Sequence, residues 1–253
     1  YLLYQAMKYD IAIATHALHD RILFTPSEQA QKALNEAPLS AELAEKHPLL
    51  FLSSRFVEIA TLPAPRLDLF EQFVHAISQF EHLLLPPDVR RVWGMTRNIL
   101  ISWWHRNKDW QTLRLYFDLV LAHLSKGYLY FNGEILRHTL DTVCKTGLVL
   151  GQTEIVYKVL TGHRGKIAGE PVDGPFYRYC MARYYFYTQR FEEAYDLLPQ
   201  NLADPSYQTD IKILEIQILY EVDSPLLPFR MDAFRLFLRR SALKLTTPER
   251  LTA

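Results

Sequence analysis

Three stretches hold residues whose types could do chemistry. In "THALHD", His16 and His19 stand three apart on one helix face, with Asp20 beside them. A zinc site would need further ligands from elsewhere, and no HExxH or CxxC motif offers them. The pair reads as surface or partly buried polar residues. "TGHRGKI", residues 161–167, joins glycines to basic groups. No strand precedes it and the GxxxxGK[ST] spacing is absent, so it reads as a loop after a helix. Glu192 and Glu193 are paired carboxylates, but they fall at a helical turn and read as solvated charge. Gly-x-Ser-x-Gly is absent. No Ser or Cys has a His at a recognisable family spacing. His47, His75, His82, His105, His123, His138 and His163 are scattered singly. The residues therefore point to no catalytic group, no metal and no cofactor.

Charge and composition narrow the classes further. Lys plus Arg and Asp plus Glu number 28 each. A chain with no net charge lacks the general attraction to nucleic acid or anionic membrane. The one basic concentration is Arg230, Arg235, Arg239, Arg240 and Lys244, on a helix that carries Phe234, Phe237 and Leu238 on its other side. It reads as the solvated outer face of a terminal capping helix. Apolar residues make up 49 % of the 253 residues, enough for a substantial core. Cys144 and Cys180 lie in apolar helical patterns and read as small buried hydrophobes of a reducing compartment. No apolar run approaches the roughly 18 residues of a membrane span. The expected location is cytoplasmic. The chain opens at Tyr1 within a helical pattern, which reads as a partial or trimmed chain.

The elements that must position any site are helices. Glycines are only 9, and 14 prolines gather at boundaries. Apolar spacing and end signals predict helices over 1–22, 26–36, 40–46, 49–62, 66–84, 87–106, 109–125, 133–150, 152–164, 175–188, 190–200, 207–222 and 226–242. Thr25-Pro26-Ser27-Glu28 is a start signal, and Ser224-Pro225 repeats its first half. Asp109 is placed to cap the helix from Trp110. In "LYFNGEI", Asn132-Gly133 is the best hairpin signal in the chain. Helical spacing resumes directly after it, so Asn132 is read as a cap and Glu134 as a first-turn acid. The polar break "GKIAGEPVDG", 165–174, reads as a surface excursion.

From about residue 49 the helices fall into pairs. Trp110, Thr153, Phe191 and Leu226 open the second helices at intervals of 43, 38 and 35 residues. Those intervals are in the range of helical-hairpin repeats. The unit "MARYYFYTQRFEEAYDLL" and its flanks, 178–205, resemble a tetratricopeptide repeat. Met181 takes the Leu place, Ala182 the small place, Tyr185 the Tyr place and Ala194 the later Ala. Phe191 matches the turn aromatic. Arg178 and Leu198 replace aromatics, and Pro205 falls one residue early. Small residues at 182 and 194 let two helices cross closely. In the 133–164 pair, Cys144 and Val156 take those places. In the 87–125 pair, the larger Ile101 and Leu113 do.

The expected fold is all-α, a right-handed α-solenoid of about five or six antiparallel hairpins, of divergent bacterial type. Residues 1–48 are N-terminal helices or a degenerate repeat, 49–242 the repeats, and 243–253 a tail. The resemblance implies a non-catalytic scaffold that docks a peptide or protein segment on the concave first-helix face. The exposed family positions fall on Asn98, Ser102 and His105; on Asp141, Lys145 and Leu148; and on Tyr179, Arg183 and Phe186. These lack the repeated Lys and Arg set of a carboxylate clamp. Two other classes remain open. An all-helical enzyme would gather polar groups in a closed pocket around His16 and His19 or around Asp141. A helical-repeat nucleic-acid binder would carry fixed side chains in every repeat, which these units do not show.

Overall fold

The computed structural model describes residues 41–60, 62, 64–200 and 205–246, and side chains within 44–240 of that set except 205 and 206. The expected helices 1–22 and 26–36, with His16, His19, Asp20 and the Thr25–Glu28 start signal, lie outside the described residues. The described residues are helical apart from one small hairpin. They divide into two compact units that part between Leu129 and Tyr130.

In the first unit, α1 is Ala41–Lys46, α2 Pro48–Ala60, α3 Leu67–Phe80, α4 Pro86–Asn107 and α5 Trp110–Ser125. One 3-10 turn follows α3. Apolar residues three or four apart give each helix a buried stripe. Leu52 and Phe56, Phe73 and Ile77, Ile99 and Trp103, and Phe117 and Val120 are all buried. Full burial of such side chains stabilises by about 1.5–3 kcal/mol apiece. α2 packs on α3 and α4, and α4 packs on α5. Asp109 caps α5 as its position suggests. Its carboxylate accepts from the Gln111 and Thr112 amides at 3.2 and 2.8 Å.

In the second unit, β1 Tyr130–Phe131 and β2 Glu134–Ile135 precede six helices. These are α6 Arg137–Val149, α7 Thr153–Gly162, α8 Pro175–Tyr187, α9 Phe191–Leu197, α10 Pro205–Glu221 and α11 Leu227–Thr246. Here the reading of "LYFNGEI" is corrected. Asn132 and Gly133 turn a β-hairpin with φ of 51° and 81°. Two successive positive φ values are the signature of the tight turn that Asn-Gly favours. Glu134 is therefore a strand residue, and the helix starts at Arg137. The deciding partner lies far along the chain. Ile135 is fully buried and donates to the Lys166 carbonyl at 2.9 Å, while Ala168 donates back to Ile135 at 2.9 Å. The 165–174 loop is thus tied to the hairpin, and Glu170 reaches Arg137 at 2.8 Å.

Helices α6 and α7, α8 and α9, and α10 and α11 pack as hairpins. α8 also packs on α6 and α7, and α10 on α8 and α9. Ala182 and Ala194, the small residues of the best motif, are fully buried. Phe186 meets Phe191 with ring centroids 5.7 Å apart across the α8–α9 turn. Ala182→Leu is expected to destabilise the chain by about 1–3 kcal/mol, because the crossing has no room for three further carbons. Urea unfolding checks this. A variant as stable as the parent would show that the crossing is loose.

Candidate functional site

Helices α6, α8 and α10 are the first members of successive hairpins, and each sends polar groups into one cluster. On α6, Asp141 and Lys145 stand four apart on one face; on α8, Tyr179 and Arg183 do the same. Asp210 joins them from α10. Lys145 Nζ lies 2.7 Å from Asp141 Oδ2 and 2.7 Å from Asp210 Oδ2. Arg183 donates to Asp141 Oδ1 at 3.2 Å and also to the Tyr179 hydroxyl. Tyr179 in turn donates to Asp210 Oδ2 at 3.3 Å. The guanidinium also lies over the Tyr179 ring, 4.7 Å from its centroid.

The cluster has a buried floor and an open rim. Tyr179 and Asp141 are buried, and the Arg183 side chain is only 13 % exposed. Lys145 and Asp210 are 41 % and 31 % exposed. Two carboxylates balance two cations, so the floor is neutral. Burial raises Asp141 above the usual carboxylate range, against the pull of Lys145 and Arg183. At Lys145 burial pulls the other way, but Asp141 and Asp210 outweigh it and the net shift is upward. Both ends of that pair therefore move up, which fits a carboxylate that is deeper than its amine. Burial also holds the Tyr179 phenol protonated, and Asp141 and Asp210 add to that. A protonated phenol is what the donation to Asp210 requires. Beneath lie two free buried thiols, with Cys144 Sγ 3.6 Å from the Cys180 carbonyl. Burial, with the Cys144 contact next, pushes the Cys180 thiol up, so neither placement nor acidity suits a nucleophile.

Four of the nine groove positions, Asp141, Lys145, Tyr179 and Arg183, thus meet in one network. The other five do not join it. Leu148 was expected on an exposed face and is 2 % exposed, so it belongs to the core. Phe186 is half-buried against Phe191. Their neighbours Val149 and Tyr187 are the exposed side chains, one residue further on. Ile213 is exposed in the same way on α10, three residues after Asp210. So each of the three first helices carries an exposed apolar residue one turn beyond its charged member. Asn98, Ser102 and His105 belong to α4 of the first unit. Ser102 is buried there, and Asn98 and His105 are half-buried, the latter 4.8 Å from the Trp104 ring between centroids.

The first unit holds a separate polar pair. Arg97 NH1 lies 2.8 Å from His123 Nδ1. A guanidinium only donates, so Nδ1 accepts and the imidazole is neutral with its proton on Nε2. His123 is 1 % exposed and packs against the Trp93 ring, tilted by 55° with centroids 4.6 Å apart. Burial, then Arg97, then Lys126, hold its pKa down at about 3. Glu81 accepts from Trp93 Nε1 at 3.1 Å and from the Tyr128 hydroxyl. The Glu81 hydrogen bond, with burial, pushes that phenol up to about 12.

No group of three metal-ligating side chains occurs among the described residues, and no described helix is long and apolar enough to cross a membrane. A cavity of about 730 Å³ opens in the second unit, lined by Arg178, Tyr195, Leu198, Ile211, Lys212 and Arg230. Asp141 does not line it.

Fold and site together define, among the described residues, a mostly helical protein whose second unit presents a charge-balanced network on the first helices of its hairpins. Comparison with family models, curated proteins and solved structures returns no significant match.

Proposed function

We propose that the chain is a non-catalytic binding module, and that the first-helix face of its second unit docks a peptide or protein segment. The observation that carries this reading is the repeated pattern on α6, α8 and α10. Lys145 of α6 and Asp210 of α10 stand at the rim above the deeper Arg183 of α8, and each helix carries an exposed apolar residue one turn on, Val149, Tyr187 or Ile213. Segments bind well where apolar anchors sit beside oriented charges held by a rigid support. The stacking of hairpin on hairpin supports the wider reading of a helical-repeat scaffold of the tetratricopeptide kind.

The network's chemistry favours binding over turnover. Its carboxylates are engaged by Lys145 and Arg183, and its phenol is held protonated.

The test is capture from native lysate by the parent and by a Lys145→Glu, Ile213→Glu variant, with circular dichroism as the folding control. Lys145→Glu sets a third carboxylate beside Asp141 and Asp210, so the single variant Ile213→Glu, at an exposed position outside the network, is tested in parallel. The expected result is a partner retained by the parent and reduced at least tenfold by the variant. Equal retention of every partner by both proteins would contradict the proposed face.

A further inference from the structure

The outward side of α11 is a second surface, independent of the network. Arg230, Arg235, Arg239 and Arg240 are exposed, as a solvated outer face requires, but Leu238, expected on the other side, is exposed too, and so are Phe229, Met231 and Leu236. Phe229 is 72 % exposed and Leu236 is 50 % exposed. Seven residues separate them, which returns a helix to within about 20° of the same direction. Both therefore lie on one outward stripe. The packed side of the helix is different. Leu227, Phe234 and Phe237 are half-buried there, and Lys212 of α10 lies 5.2 Å from the Phe237 ring centroid.

Cations flank the stripe. Arg239 and Arg240 follow Leu236 by three and four residues, so they fall on its two sides. Both are exposed, and neither has an acidic partner among the described residues. Arg230 is already tied to Glu215 at 3.1 Å, and Arg235 to Asp232 at 2.9 Å. Between Leu226 and Thr246 the sequence has five cations, Arg230, Arg235, Arg239, Arg240 and Lys244, against the single carboxylate of Asp232.

We infer that this face docks an acidic amphipathic helix of a partner protein, with its apolar side chains on Phe229 and Leu236 and its glutamates or aspartates beside Arg239 and Arg240. The geometry is that of a helical seam, where apolar residues recur each heptad and flanking charges select the partner. Charge excludes the obvious alternatives. A second copy of α11 would set cations against cations across the same stripe. An anionic membrane would meet Asp232 beside the Phe229–Leu236 stripe, and the other exposed apolar residues of α11, Met231 and Leu238, fall on a different side of the helix. Interfacial helices instead bury a broad apolar face.

The test uses the full chain and two labelled synthetic helices of 21 residues, a length of six turns. Both carry leucines at the a and d positions. One carries glutamate at e and g, and the other lysine. Fluorescence anisotropy should show the glutamate probe binding at least tenfold more tightly than the lysine probe. Leu236→Glu should weaken it at least tenfold. Arg239→Glu with Arg240→Glu should do so most at low salt, since exposed charge pairs are screened. These residues are exposed, and circular dichroism verifies that the variants fold. Equal binding of the two probes overturns the inference, as does binding that survives Leu236→Glu. So does a parent that sediments with anionic vesicles yet ignores the glutamate probe, or one that self-associates through Leu236.

Discussion

Replacing Arg183 with leucine should lower the stability of the second unit by about 3–5 kcal/mol. The reason is what stays behind. Arg183 serves Asp141 at 3.2 Å, stands 3.9 Å from Asp210 and donates to Tyr179. Without it, a buried carboxylate keeps Lys145 as its one cation, and a buried phenol oxygen loses its donor. An unpaired polar group at depth costs its desolvation in full. Lys145→Met should cost about 1 kcal/mol, because that amine is partly solvated and Arg183 still neutralises Asp141. Arg183→Lys should not restore stability, since an ammonium cannot span a carboxylate and a phenol as a planar fork does. Urea unfolding by far-ultraviolet circular dichroism ranks the variants. If Lys145→Met costs as much as Arg183→Leu, the buried floor is not what holds the site.

Acidification should act on the other unit, through His123. Its pKa is held at about 3, below the ordinary 6.5. Between those values the unfolded chain binds a proton that the native state excludes. The stabilisation is therefore complete above about pH 6.5 and is lost as pH falls toward the folded value. The slope is about 1.4 kcal/mol per pH unit, so about 3 kcal/mol disappears between pH 6.5 and 4. Protonation would turn Nδ1 from acceptor to donor and set a third cation beside Arg97 and Lys126. His123→Gln keeps an acceptor for Arg97 and removes the titration. All four tryptophans, Trp93, Trp103, Trp104 and Trp110, precede Leu129, so their fluorescence follows this unit alone. The parent should lose stability on acidification and the variant should lose much less. Parallel losses would place the acid sensitivity elsewhere.

Much of the helical architecture was legible because it rests on local spacing. The stripes of α2 to α5, the Asp109 cap and the small residues Ala182 and Ala194 are decided within a few residues of chain. The hairpin at 130–135 was not, since its deciding partner, Ile167, is more than thirty residues away. The site was half legible. The registered motif placed Asp141, Lys145, Tyr179 and Arg183 on first helices, and those helices pack side by side. It missed Asp210, because α10 has no small-residue signal to fix its register. It also set the last exposed position one residue early on two helices, naming Leu148 and Phe186 where Val149 and Tyr187 face solvent. A step of one residue turns a side chain by about 100°, enough to move it from core to surface. The Arg97–His123 pair joins two helices across 26 residues, and no local pattern announces it.

The central claim is that the first-helix face of the second unit binds a protein segment. Site-specific photocrosslinking tests it most directly. A benzophenone side chain replaces Tyr187, on the first helix α8, or Tyr157, equally exposed on the second helix α7. Irradiation in native lysate should give a discrete protein adduct from position 187 and none from position 157. Adducts from 157 alone, or the same adducts from both positions, would contradict the claim.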